Sequence, residues 1–182
     1  MFWLDLGVDG FRYDVVNFLS KEPGLPDGWQ PTGAGYADGS PHYSCCPRIH
    51  QYVAELTGAI TAGRSRTLLS VGEMPGVTVE EAIRFTDPRN AELDVVFQFE
   101  HVDLDHRGQK FDPAEFDLRD LKATFRRWQE GLSEVGWNSL YWNNHDQPRV
   151  VSRFGDDTLH RVESAKMLAT MLQRGCPGSR GT

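Results

Sequence analysis

Ile49, Tyr52, Val53, Leu56 and Ile60 recur at spacings of three and four residues, which lines one face of a helix with apolar side chains. The short apolar run 67-TLLSVGE-73 that follows predicts a buried strand, and 7-GVDGFRYD-14, 93-LDVVFQFE-100 and 138-NSLYWNNHD-146 read the same way. Thr78 and Glu81 form a Ser/Thr-x-x-Glu capping box that opens a short helix. Asp117 is placed to cap a helix buried through Leu118, Leu121, Phe125, Trp128 and Leu132. A last helix buries Leu159, Val162, Leu168, Met171 and Leu172, and the opening FWLDLG reads as the end of a helix that runs through Gly7 into the first strand.

Four strands that alternate with helices imply right-handed βαβ units and a parallel sheet, because each crossover helix must pack back on the strands it joins. Two architectures satisfy this pattern, a (β/α) barrel and a doubly wound sheet. Both put functional side chains at the carboxyl ends of the strands. The Pro- and Gly-rich stretch at about residues 20 to 47 is longer than an ordinary connection and follows the first strand directly, so it is a candidate functional loop. With no repeat, low-complexity tract or evident linker, residues 1–182 read as one domain.

The strand ends carry the polar groups. The first ends at Asp14, the second at Glu73, the third at Gln98 and Glu100, and the fourth at Asn144, His145 and Asp146. Each alone has an ordinary explanation, as a helix cap, a turn former or a solvated carboxylate. Neighbouring parallel strands bring their ends within about 5 to 10 Å, however, and clustered carboxylates repel unless a cation or a reaction justifies them. Two chemistries use such a set: metal binding, and glycoside hydrolysis by a nucleophile and a proton donor.

Arg12 and Asp14 fall on one face because side chains alternate along a strand, so the guanidinium can keep the carboxylate ionised and oriented. Glu73, at the end of an apolar strand and near other anions, is expected to have a raised pKa and to stay protonated as an acid.

Composition narrows the choice. The chain is 39% apolar and 11% aromatic, as an ordinary globular domain is, and its net charge of -7 comes with scattered rather than striped Lys and Arg. That balance suits an uncharged substrate and argues against nucleic acid or an anionic membrane as partner. Cys45, Cys46 and Cys176 are odd in number and two are adjacent, which reads as reduced thiols rather than a disulfide framework or a zinc site. No run reaches the roughly 18 to 20 apolar residues of a membrane span, and no basic segment precedes an apolar one at the N-terminus.

The segments GFRYD, SVGEM and NNHDQPR, in this order and each at a strand end, resemble signature regions of the α-amylase superfamily, glycoside hydrolase family 13. GFRYDVVNFLSK, LLSVGEMPG, VVFQFEHVDLD and YWNNHDQPRVVSRFGDD look like its α-glucosidase and oligo-1,6-glucosidase branch. The likeness runs from about residue 1 to about residue 173.

This resemblance implies a partial (β/α)8 barrel, about strands 4 to 7 with their helices. It implies Asp14 as nucleophile with Arg12 as its orienting partner, Glu73 as general acid/base, and His145 and Asp146 as groups that hold hydroxyls of the distorted sugar. It also implies retention through a glycosyl-enzyme intermediate, with about 5 to 5.5 Å between the two catalytic carboxyl groups. Valine after the nucleophile, here Val15, goes with α-1,6 linkages in that branch, which suggests short isomalto-oligosaccharides. The enzyme would be cytoplasmic, no cofactor is implied, and nothing in this chain supports a metal site. Asn17, Gln98, Glu100, Gln147 and Arg149 are subsite candidates by location. Trp29 and Tyr36 are candidates for stacking on sugar rings.

Trehalose-6-phosphate hydrolysis, sucrose isomerisation and glucosyl transfer use the same acidic trio and stay open. A non-catalytic family-13-like binding subunit is the alternative of another class, though such subunits tend to lose the trio and to carry a membrane span. Against a full barrel of about 250 residues, the chain is expected to lack the first three strands, the last strand and the β-sheet domain that follows. CPGSRGT, where the family runs into an apolar strand, suggests an incomplete gene product.

Overall fold

The structure is a computed structural model that describes residues 2–29, 37–65, 67–107 and 112–175. A short helix α1 (Phe2–Asp5) leads through Gly7, at φ 92°, into strand β1 (Gly10–Tyr13). Helix α2 (Ile49–Thr61), strand β2 (Leu69–Glu73), helix α3 (Val79–Thr86), strand β3 (Val95–Phe97) and helix α4 (Leu118–Gly131) follow in strict alternation, and helices α5 (Val150–Phe154) and α6 (Arg161–Gly175) close the described chain. Both expected caps form: Thr78 Oγ1 accepts from the Glu81 amide at 3.2 Å, and Asp117 accepts from the Arg119 amide at 2.8 Å.

The three strands make one parallel sheet in the order β1-β2-β3, with Tyr13 opposite Gly72 and Glu73 opposite Phe97. The α/β class is therefore as expected. This register sets the carboxyl ends of β1 and β2 side by side. Gly72 is required there, because a Cβ would meet a Leu93 methyl at 2.6 Å and Val16 at 3.2 Å. The helices cover the sheet with Val16, Ile49, Val53, Met74, Phe85, Val96 and Trp128 in one apolar cluster. A second cluster holds Val102, Leu121, Phe125, Leu140, Trp142, Val150 and Leu168.

Residues 138–146, expected to be a fourth strand, make only one parallel bridge, from Asn138 to Val96. The reason is local. Asn143 Oδ1 accepts from the Val150 amide and Asn144 Oδ1 from the Asp146 amide, so these side chains take up backbone donors and bend the chain into turns. The third strand is also shorter than its apolar run, since Gln98 Oε1 accepts from the Glu100 amide at 2.5 Å and starts a 3-10 turn at residues 100–102. In the last helix, Leu168 is buried, whereas Val162 is exposed and Leu159 lies exposed before the first turn. Leu118 is likewise exposed at the start of α4.

Candidate active site

Asp14 directly follows β1, and Glu73 is the last residue of β2. Arg12 joins them. Its Nη1 pairs with Asp14, its Nη2 stands 2.5 Å from Glu73 Oε2, and its guanidinium lies 5.7 Å from the centre of the Phe97 ring on β3. Alternation along β1 puts Arg12 on the face of Asp14, and the register brings both to Glu73.

The two carboxyls differ in surroundings. Glu73 is 2% exposed, whereas the Asp14 side chain is 68% exposed. Burial pushes the Glu73 pKa up, and a hydrogen bond with Asp14 adds to the rise against the Val15 amide and Arg12. That bond, accepted by Asp14, is the main cause that lowers the Asp14 pKa, followed by Arg12, with the His145 charge as a lesser contribution. The two pKa values are therefore displaced in opposite directions, Glu73 toward keeping its proton and Asp14 toward losing it. Arg12 bridges the two carboxyls, so one cation faces both groups at the adjoining strand ends.

Val15 supplies a donor that the sequence did not suggest. Its backbone is left-handed, at φ 37° and ψ 44°, and its amide donates to Glu73 Oε2 at 3.2 Å. A β-branched residue in this region is strained, so the preference of valine for strands does not explain its presence. The turn ends β1 and starts the 3-10 segment at residues 16–18.

His145 and Asp146 sit on the exposed turn after Asn144, with His145 Nε2 3.2 Å from Asp146 Oδ2. Burial raises the Tyr141 pKa, with the Asp103, Glu73 and Asp146 carboxyls adding to the rise against Arg153. Arg149 is exposed at the start of α5.

Of the remaining candidates, Asn17, Gln98 and Gln147 are buried, whereas Glu100 and Trp29 are exposed. Asn17 is fully buried and donates from Nδ2 to the Pro75 carbonyl at 2.9 Å, which ties the loop after β1 to the loop after β2. Gln98 is buried and donates to His101. Glu100 is held by Arg127 and by the Trp128 indole N–H at 2.8 Å. Gln147 is buried and accepts from Arg153. Trp29 is exposed in the long loop, bridged to Asp38, and Tyr36 lies outside the described residues.

A cavity of 330 Å³ lies between α2 and the amino ends of β2 and β3, lined by Thr57, Leu68, Ser70, Leu93 and Asp94, away from the acid pair. Among the described residues no group of three or more His, Cys, Asp or Glu side chains is arranged to hold a metal ion. What the arrangement offers at the carboxyl ends is a pair of carboxyls, one with its pKa lowered and one with its pKa raised, beside a shared guanidinium. No described helix is long and apolar enough to cross a membrane.

The family described as alpha amylase, catalytic domain, matches residues 1–179. The oligo-1,6-glucosidase of Halalkalibacterium halodurans is 54% identical over 178 residues, covering 96% of this chain and 31% of that protein. That of Parageobacillus thermoglucosidasius is 55% identical over 172 residues, covering 94% and 30%. The crystal structure of the trehalose-6-phosphate hydrolase of Bacillus licheniformis superposes with a TM-score of 0.81 at 42% identity, over 94% of this chain and 30% of that one. The chain therefore spans a little under a third of the length of the relatives it matches. With the acidic pair at the carboxyl ends of a parallel sheet and a match over nearly its whole length, the chain belongs to the α-amylase catalytic-domain family.

Proposed function

We propose that the chain carries the active-site core of a retaining α-glucosidase on part of a (β/α)8 barrel, acting on short oligosaccharides and favouring α-1,6 over α-1,4 bonds. The observation that supports this best is Arg12 held between Asp14 and Glu73 while their pKa values move apart. Pairs of carboxyls with divergent pKa values mark the acid and the nucleophile in glycoside hydrolysis.

Asp14 attacks the anomeric carbon while Glu73 gives its proton to the leaving oxygen, so the glycosidic bond breaks as the glycosyl ester forms. Glu73, now ionised, takes a proton from water, and the water oxygen displaces Asp14 with a second inversion. His145 and Asp146 are placed to hold sugar hydroxyls, and Arg12 keeps Asp14 ionised. Residue Val15 is the linkage hint, now on a strained turn beside the acid pair.

The test is trapping of the 182-residue chain with 5-fluoro-α-glucosyl fluoride, followed by mass spectrometry of its peptides. Its good leaving group lets one slow glycosylation accumulate even where turnover is poor, which suits a chain whose β1 edge is unpaired among the described residues. The expected product is one glucosyl adduct on the Asp14 peptide, absent in Asp14→Asn and retained in Glu73→Gln. An adduct on another carboxylate, or none with folded protein, overturns the reading. Isomaltose is expected to turn over little or not at all on the isolated chain, and ordinary enzyme rates would contradict this. The similarity to a trehalose-6-phosphate hydrolase supports a second reading. Protection from trapping by trehalose 6-phosphate, but not by isomaltose, would favour it.

A further inference from the structure

His101 is fully buried, and the polar atoms around its ring fix its protonation. The Tyr141 carbonyl, 2.5 Å from Nε2, can only accept, so Nε2 carries the hydrogen. Nδ1 then accepts from Gln98 Nε2 at 3.0 Å, and Gln98 Oε1 accepts from the Glu100 amide. Every partner is satisfied by one neutral tautomer. Burial, the first cause, lowers the ring's pKa, against the hydrogen bond to the Tyr141 carbonyl and the Asp103 and Glu100 charges, with Arg153 assisting.

The placement of this contact gives it a role. The bridge between Val96 and Asn138 has two backbone bonds, Val96 N to Trp137 O and Ser139 N to Val96 O. Beyond it, among the described residues, no backbone hydrogen bond joins β3 to residues 140–146. The His101 side chain supplies the next link, to Tyr141, with its ring against those of Tyr141, Trp142 and Phe125. Past the turn, Arg153 reaches Gln147 at 3.2 Å and also holds Asp105 and the Val102 carbonyl. His145 and Asp146 thus lie between two clamps rooted in residues 98–105.

We propose that His101 is a positioning residue for His145 and Asp146, replacing with its side chain the strand pairing that residues 140–146 lack. The functional weight of this rests on the reading of these two as sugar-holding groups. His101 touches no reacting atom in that scheme and acts through the Tyr141 carbonyl.

The test uses the ¹⁵N-labelled 182-residue chain with His101→Phe, which keeps a ring without nitrogens, and His101→Gln, which keeps a donor and an acceptor. Hydrogen exchange is read at the Asp146 and Val150 amides, which are bonded to Asn144 and Asn143, and at the paired amides of β2. In the unsubstituted chain the His101 ring nitrogens should show the neutral Nε2–H tautomer. The Phe variant should exchange at least about tenfold faster at Asp146 and Val150 with β2 changed by less than about twofold, and the Gln variant should recover most of the loss. Unchanged exchange at Asp146 and Val150, equal acceleration in β2, failure of the Phe variant to fold, no recovery in Gln, or an Nδ1–H tautomer would each overturn the proposal. These readouts need no turnover. Failure to trap a glucosyl adduct would count against the glucosidase reading and leave this result standing.

Discussion

Arg12 Nη2 stands 2.5 Å from Glu73 Oε2 while the other terminal nitrogen of the same guanidinium pairs with Asp14. One cation therefore serves two carboxyls whose pKa values are displaced in opposite directions. Burial raises the Glu73 pKa, whereas the hydrogen bond with Glu73 and the Arg12 pair lower that of the exposed Asp14.

Removing the cation tests this division. In Arg12→Met both titrations should move up: Asp14 loses its second strongest cause of depression, and Glu73 loses a charge that favoured its ionised form. Carboxyl ¹³C NMR across pH 2 to 9 reads both groups, and Arg12→Lys should restore part of the Asp14 shift. An Asp14 titration that stays put in Arg12→Met would remove Arg12 from the account.

Glu73 should make the fold less stable as pH rises. Its folded pKa lies above its unfolded value near 4.3, so the folded state binds the proton more tightly and stability is lost as pH climbs between the two values. Glu73→Gln keeps the shape and removes the ionisation. The variant should match the original chain in urea unfolding at pH 4 and exceed it at pH 8. A variant that is less stable at pH 8 would mean that the ionised carboxylate is favoured by its surroundings.

His50 works in the opposite sense. Its Nδ1 lies 2.8 Å from Glu92 and its Nε2 3.2 Å from Glu81, and the hydrogen bond to Glu92 is the largest cause of its raised pKa, against burial and the Arg84 charge. The charged imidazolium ties α2 to α3 and to the segment before β3. Its contribution is complete below the unfolded pKa near 6.5 and fades as pH rises through the folded value. His50→Gln should lower the melting temperature at pH 6 and have a smaller effect at pH 9, measured by circular dichroism. An equal loss at both pH values would assign His50 to packing on Phe85, whose ring centre is 4.4 Å away.

Val15 carries backbone strain that a different residue can relieve. The left-handed region costs an ordinary L-residue about 1 to 2 kcal/mol, and asparagine tolerates it better. Val15→Asn should stabilise the chain by about 1 kcal/mol in urea unfolding, since the Val15 side chain is partly exposed and little burial is lost. Under the proposed function the same change should weaken protection from trapping by isomaltose relative to maltose. A destabilised Val15→Asn would mean that the valine side chain, rather than the Val15 amide, holds the turn.

Local chemistry in the sequence determined more of this protein than its length suggests. Apolar spacing placed α2 and α4, Thr78 and Asp117 placed two helix starts, and strand alternation put Arg12 and Asp14 on one face. The divergence of Asp14 and Glu73 was legible because Arg12 shares the strand face of one, whereas the other closes an apolar strand.

What only the tertiary structure decided depends on partners distant in the chain. Arg12 reaches Glu73 because β1 and β2 pair in one register and not its neighbour. The strand expected at 138–146 became a clamped turn, since Asn143 and Asn144 cap backbone amides and His101, 40 residues away, takes the Tyr141 carbonyl. Among the subsite candidates, Asn17 and Gln98 are buried and bonded to the Pro75 carbonyl and His101, whereas Glu100 is exposed and accepts from the Trp128 indole N–H. A polar side chain at a strand end is equally suited to a sugar hydroxyl or a neighbouring loop, and burial makes the choice.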